Sequence, residues 1–409
     1  MKPSKKFSIK KLFLYIPLLL VIVVAVFLLL PSNYYVSRAL IHLMPKIDQY
    51  TIFDNRNVAA GDPQPWDFAK DYTNKVIPHE FESDFSKYQT VAFVVVQHNK
   101  IIFEQYWKNY TPISLSNSFS MSKSIISLLV GCAIKDGSIK SVDQPVSDFL
   151  PEWTSFDGKT LTIKDLLTMS AGVEWDESHN SLFSKTTEAY YGKDLWKLTL
   201  TEKMVEKPGV RFNYQSGVSQ ILAFLLQKAT GKSVSQYASE KIWTPIQAEE
   251  DAVWSLDHKK GMEKAYCCFN SNARDFARLG QLILNKGRWN GKQVVDSNYI
   301  KEATTPATWL QYTPKSTHNE SISVKPVPCT FYGYQFWIAN YQGLKVPYFR
   351  GILGQYILVI PELDAVIVRL GKKRDKEYNL QQDYTKDLDI WLKAGIEVIN
   401  SSTGTPEKD

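Results

Sequence analysis

Close histidine pairs are missing from this sequence. Its six histidines, His42, His79, His98, His179, His258 and His318, stand far apart. The short His spacings of zinc sites therefore do not occur, and no metal is expected. No Gly-x-Ser-x-Gly elbow and no phosphate-cradling glycine loop is present, which removes the α/β-hydrolase and nucleotide-binding readings. No cofactor is expected. Cysteine is scarce, at positions Cys132, Cys267, Cys268 and Cys329. Neighbouring cysteines rarely pair with each other, so the expected bridge joins Cys267 or Cys268 to Cys329, with Cys132 a buried apolar residue. Charge of one sign is modest too. The net charge of +6 is inflated by Lys2, Lys5, Lys6, Lys10 and Lys11 at the very N-terminus, so nothing argues for nucleic acid. What is present, 409 residues with 44% hydrophobic and 22% charged, is the composition of a globular chain with one large core or two ordinary ones.

One long uncharged apolar run, residues 12–30, is also there. At 1.5 Å per residue it roughly matches the hydrocarbon core of a bilayer. Lysines precede it, which places the N-terminus in the cytoplasm and the rest of the chain across the membrane. Pro17 and the short basic leader also suit a cleavable signal peptide. No small-x-small site follows, however, and Pro31, Ser32, Asn33, Tyr34 and Tyr35 read as an interfacial anchor. The expected organisation is a cytoplasmic leader (1–11), a transmembrane anchor (12–30), a juxtamembrane stalk and wrap (31–87), a catalytic domain (88–399) and a disordered tail (400–409). Prolines at 45, 63, 65 and 78 make 36–87 read as irregular and without recognisable chemistry.

Two reactive side chains stand at the mouth of a helix within 118–137. Ile125, Ile126, Leu128, Leu129, Val130, Ala133 and Ile134 cover most of its circumference, so it is expected to be buried on nearly all sides and closed by Gly137. Ser120 and Lys123 lie one turn apart on one face. A serine hydroxyl needs a base to become a nucleophile. Lys123, drawn into an apolar helix mouth, loses solvation, so its pKa falls and it becomes that base. Ser8 and Lys11 repeat the spacing in the basic leader, where there is no room for chemistry. The competing assignment, a capping Ser120 and a surface Lys123, leaves the lysine little water to reach.

Two β-rich runs, 90–96 and 101–107, joined by His98, Asn99 and Lys100, predict a hairpin leading into this helix. Thr162 and Asp165 are placed to cap a short helix at 163–169. The aromatic segment 173–200, with Trp175, Tyr190, Tyr191 and Trp196, is either one wall of a substrate cleft or a set of aromatics packed on the body. Tyr214 falls on a loop before a helix at 218–229, where functional residues collect. Helices follow at 233–243 and 273–285, the second carrying Arg274, Asp275 and Arg278 as structural ion pairs. Strands are expected at 333–340, 355–360 and 365–370, then a helix near 383–399 with Leu388, Trp391, Leu392 and Ile396 on one face. The class is α+β, one antiparallel sheet built from both chain ends with helices packed on it.

Ser120-Met-Ser-Lys123, Asp165-Leu-Leu-Thr-Met-Ser-Ala-Gly172, Tyr214-Gln-Ser216 and Phe349-Arg350-Gly351-Ile352 occur in that order. The chain thereby resembles the serine β-lactamase and penicillin-binding superfamily over roughly 85–395. The branch is that of class C β-lactamases, related esterases and 6-aminohexanoate-oligomer hydrolases. The resemblance implies a β-lactamase/transpeptidase-like fold, with Ser120 the acylated nucleophile, Lys123 its base or proton relay, and Tyr214 exchanging protons with the attacking and leaving groups. It also implies an oxyanion hole from the backbone N–H groups of Ser120 and Ile352. A phenol beside a lysine favours its phenolate, giving a base without histidine. Ser216, Tyr190, Tyr191, Arg350 and Gly351 are the candidate substrate-binding residues. Phe349 and Arg350 stand where the family has lysine and threonine, so efficient β-lactam hydrolysis is not expected. Arg350 is either a bidentate carboxylate ligand or a solvated strand arginine. The expected function is a membrane-anchored, extracytoplasmic serine hydrolase cleaving a small-molecule amide or ester. The alternative is a penicillin-binding or cell-wall-peptide sensor, acylated without turnover.

Overall fold

The structure is a computed structural model and describes residues 9–178, 181–314, 325–379 and 382–401. Thr90–Gln97 is rich in β-branched residues and buried along nearly its whole length, as a strand covered on both faces must be. It turns through His98 and Asn99, at φ 51° and 58°, into Lys100–Tyr106, with Gln97 paired to Lys100. Two left-handed turn residues match the twist of paired strands. The hairpin joins Trp337–Tyr341, Leu344–Gly351, Gln355–Ile360 and Ala365–Gly371 in one six-stranded antiparallel sheet. Ala365–Gly371 lies directly beside Thr90–Gln97, so both chain ends meet in this sheet as expected. Leu344–Gly351 is a strand that the expected runs omit, because Pro347 and Arg350 interrupt its apolar pattern.

Helices close both faces of the sheet. A Cβ on Gly280, in the helix Ala273–Leu284, would lie 2.4 Å from Val366 Cγ1; one on Gly395, in Asp387–Asn400, would lie 2.2 Å from Ile367 Cδ1. Val366 and Ile367 are consecutive strand residues and point to opposite faces, so the two helices sit on opposite sides. Arg274 pairs with Glu104 and Glu249, and Arg278 with Asp275 and Glu249, the structural role expected of them. Beyond Ala273–Leu284 lies a helical middle in which Met121–Lys135 packs on Ser216–Thr230. A reciprocal capping box of Thr162 and Asp165 starts Ile163–Leu167.

Segment 31–87, expected as a stalk and wrap, lies against the body. The helix Ile9–Leu29 contains Pro17. Among the described residues no single helix is long and apolar enough to cross a membrane; Tyr15–Leu29 and Pro31–His42, bent by 81°, pass that test as a pair by length and composition. The helix Tyr34–His42 packs on Lys185–Tyr191. Asn55–Val58 then pairs with Ala252–Ser255 at the edge of a second antiparallel sheet, which ends in Ser116–Asn117 just before the nucleophile helix. Segment 36–87, expected to be irregular, thus contributes the helices Tyr34–His42 and Glu82–Lys87 and the strand Asn55–Val58 to the body. Of the expected tail, Asn400 ends the last helix and 402–409 lie outside the described residues. The expected cysteine bridge is corrected as well: Cys267 bonds Cys268, and Cys329 is a free, buried thiol. Cys268 takes φ 66°, which turns the adjacent side chains toward each other.

Candidate active site

Ser120 is the N-cap of Met121–Lys135 and follows Phe119, a buried residue held at φ 45°. A bulky residue there costs about 1–3 kcal/mol and persists only where its surroundings fix it. Asn117 Oδ1 does so by accepting the Phe119 N–H at 2.8 Å. One turn on, Lys123 is 1% exposed. Its Nζ lies 3.0 Å from Ser120 Oγ, 3.2 Å from Ser216 Oγ and 2.8 Å from the Tyr266 carbonyl. Burial lowers its pKa to about 8, against an opposing pull from Glu177. In the neutral amine two N–H bonds go to Tyr266 O and Ser216 Oγ. The lone pair is left facing the Ser120 hydroxyl.

Ser216 begins its helix and is itself engaged. Its N–H and its hydroxyl both donate to Glu177, each at 2.6 Å. Ser216 therefore stands between Lys123 and a carboxylate, in the proton network. Glu177 was not a candidate by sequence: Glu174, Asp176 and Glu177 share one segment, and no spacing separates them. Tyr214 packs on Trp337, with ring centroids 5.3 Å apart, and Lys123 Nζ lies 5.0 Å from its ring centre. Burial, aided by Glu177, pushes its hydroxyl well above the usual phenol range. This corrects the phenolate expectation: desolvation outweighs the Ser120 hydrogen bond and the Arg350 and Arg374 charges that pull the other way, and Tyr214 stays protonated.

Gly351 and Ile352 bring the third motif to Ser120. A Cβ on Gly351 would fall 2.2 Å from Ser118 O, so only glycine lets the strand pass this close. Among the described residues neither the Ser120 nor the Ile352 backbone N–H is spent on another hydrogen bond, and both residues border the same two cavities. This is the arrangement an oxyanion hole needs. Phe349, at the family's lysine position, points the other way, into the core against Phe336. Arg350 is neither a free ligand nor solvated: it lies 3.3 Å over the Trp337 ring and is bonded to Asp383. Tyr190 and Tyr191 line one of the cavities beside Ser120, whereas Trp196 packs on Phe224. Trp337 and Arg374 join the site without a sequence signal. Among the described residues no group of three His, Cys, Asp or Glu side chains is arranged to hold a metal.

The fold and this cluster are those of a serine hydrolase, with Ser120 and Lys123 one helical turn apart. The Beta-lactamase family model matches residues 80–389, and the chain belongs to that family. It is 24% identical over 322 residues to the 6-aminohexanoate-dimer hydrolase of Paenarthrobacter ureafaciens, covering 75% of this chain and 79% of that one. A candidate 6-aminohexanoate-dimer hydrolase from Bacillus anthracis superposes with TM-score 0.68 at 20% identity, over 85% of this chain and 90% of the other. A family VIII carboxylesterase superposes with TM-score 0.60 at 16% identity, over 82% and 99%. At these identities the two structures speak for the fold alone.

Proposed function

We propose that the chain is a membrane-anchored, extracytoplasmic hydrolase that cleaves an ester or amide bond through an acyl-enzyme on Ser120. The observation that carries this reading is Lys123 Nζ at 3.0 Å from Ser120 Oγ, with its two other hydrogen bonds already committed. Lys123 takes the Ser120 proton as Oγ attacks the carbonyl. The oxyanion meets the Ser120 and Ile352 N–H groups, each donor worth about 3 kcal/mol. Tyr214 gives its proton to the leaving group and recovers one from Lys123. Water then attacks the acyl-enzyme with Lys123 again as base, releasing the acid and restoring the serine.

A fluorophosphonate should label Ser120 in the wild type and not in Ser120→Ala, and a p-nitrophenyl ester should turn over steadily. A burst of one equivalent without a steady state would favour the sensor alternative. With Phe349 in the core and Arg350 held by Asp383, cephalosporins should be far poorer substrates than simple esters; equal catalytic efficiency would overturn that. Lysines ahead of the apolar run support an N-terminus in the cytoplasm. Protease added to spheroplasts should then digest the catalytic part, and protection until lysis would reverse the topology.

A further inference from the structure

Ser120 lies between two cavities of opposite character. The first, of about 310 Å³, reaches from Ser120 and Ile352 to the helix Tyr34–His42 and the helix Lys185–Tyr191. Four of its polar side chains are already spent. Tyr191 donates its hydroxyl to Leu43 O at 2.7 Å, Thr187 to Ser181 O at 2.7 Å, Thr186 to Asp176 O at 3.0 Å, and Ser216 to Glu177. Tyr190 and Tyr266 also line it, and their hydroxyls are buried without a hydrogen-bond partner among the described residues. The far rim is Leu40, Leu43 and Met44, which are 46%, 69% and 56% exposed. Beside it Phe183 meets Phe27 of the N-terminal helix edge to face.

The second cavity, of about 340 Å³, is lined by Tyr214, Asn213, Ser178, Arg350 and Arg374 together with the carboxylates Glu177 and Asp383. Arg350 is held by Asp383. Arg374 stacks near Tyr378 and has no carboxylate partner among the described residues. Tyr214, the proton donor, borders this cavity and not the apolar one. A leaving group protonated by Tyr214 departs on the polar side, so the acyl group stays on the apolar side.

We propose that the substrates are acyl amphiphiles, esters or amides joining a medium-length hydrocarbon acid to an anionic leaving group. The chain fills the apolar cavity and Arg374 receives the leaving group. At roughly 30 Å³ for each water-sized group, the cavity holds about ten such groups, which suits a medium chain. The acyl carbon is transferred to Ser120 Oγ while the leaving-group heteroatom takes a proton. Water then supplies hydroxyl to the acid and a proton to the serine. This rests on Ser120 being the nucleophile.

The test uses the full-length chain in lipid nanodiscs with p-nitrophenyl acetate, butyrate and octanoate. The expected kcat/KM rises along the series, by up to about fourfold per methylene buried. A flat or falling series with Ser120 still labelled by fluorophosphonate overturns the inference and leaves the nucleophile standing; loss of both labelling and turnover overturns the two together. Leu40→Asp with Met44→Asp, two exposed positions, should lower the octanoate-to-acetate ratio roughly tenfold or more. Partitioning of substrate into lipid is the same for both proteins, so the change in ratio reports the cavity, and an unchanged ratio sinks the acyl assignment. Wild-type enzyme should prefer the octanoyl ester of 4-hydroxybenzoate over that of 4-hydroxybenzamide, and Arg374→Ala should erase the preference. Equal rates in the wild type overturn the leaving-group assignment.

Discussion

Among the described residues two lysines are buried, Lys123 beside Ser120 and Lys264 behind the wall of the apolar cavity. Desolvation lowers both, to pKa values of about 8 and about 7. By charge perturbation alone Lys264 is the more extreme. Its surroundings are different: Nζ donates to Ala189 O at 2.9 Å and lies 5.2 Å from the Phe53 ring centre, with Asp257 partly opposing the shift. No hydroxyl is hydrogen-bonded to it among the described residues. Lys123 has two hydroxyls and a carbonyl. A depressed pKa therefore reports burial, and a nucleophile within hydrogen-bond reach is what turns burial into base catalysis.

The strongest way to break this contrast is Lys123→Ala. Activity on a chromogenic ester should fall by roughly 10⁴- to 10⁶-fold, with circular dichroism unchanged because alanine suits a helix. Lys264→Met should stay within a few-fold of wild type. Reversal of these two results would transfer the base to Lys264. Tyr214→Phe removes only the proton-carrying oxygen and should cost roughly 10²- to 10⁴-fold in kcat. Combined with Lys123→Ala it should cost little more than the worse single change, since both serve one proton path; fully additive losses would separate them.

The pH profile sharpens the comparison further. Lys123 must be neutral to accept a proton, so kcat/KM should rise with pH through about 8. Lys264→Met should leave that limb in place, and its disappearance would assign the titration to Lys264. The smallest effect concerns stability. Lys264 titrates lower in the folded chain, near 7, than in the unfolded one, near ~10.4. Between those values the unfolded state binds the extra proton, so the Lys264 contribution to stability rises with pH and is least below 7. Lys264→Met should therefore raise the melting temperature more at pH 6 than at pH 10, by differential scanning calorimetry. An equal gain at both would mean that the folded and unfolded chains bind the same number of protons at this amine, so that folding does not lower its pKa.

The nucleophile helix was legible because its evidence is local. Ser120 and Lys123 share a turn in any α-helix, and apolar residues all round Met121–Lys135 signal burial whatever they are buried against. The hairpin and the Thr162–Asp165 capping box were legible for the same reason. Leu344–Gly351 was not, because a central strand with Pro347 and Arg350 carries a broken pattern that only its neighbours override. Glu177 was hidden by being one acid among three. The cysteine pairing went to Cys267 and Cys268 through a left-handed Cys268, a backbone state the sequence does not write.

By itself the sequence determined that Ser120 and Lys123 share one turn, the helix that carries them and the α+β order of elements, all set by spacing along a few turns or one strand. The tertiary structure alone decided what state those groups are in. Tyr214 keeps its proton because desolvation by the interior outweighs the Ser120 hydrogen bond and the Arg350 and Arg374 charges that favour its anion. Ser216 is tied to a carboxylate 39 positions away, and the acyl side of the site is walled by Leu40, Leu43 and Met44, far ahead of the nucleophile in the chain. Solvation and contact between distant residues depend on how the chain is packed, and periodicity along it carries no record of that.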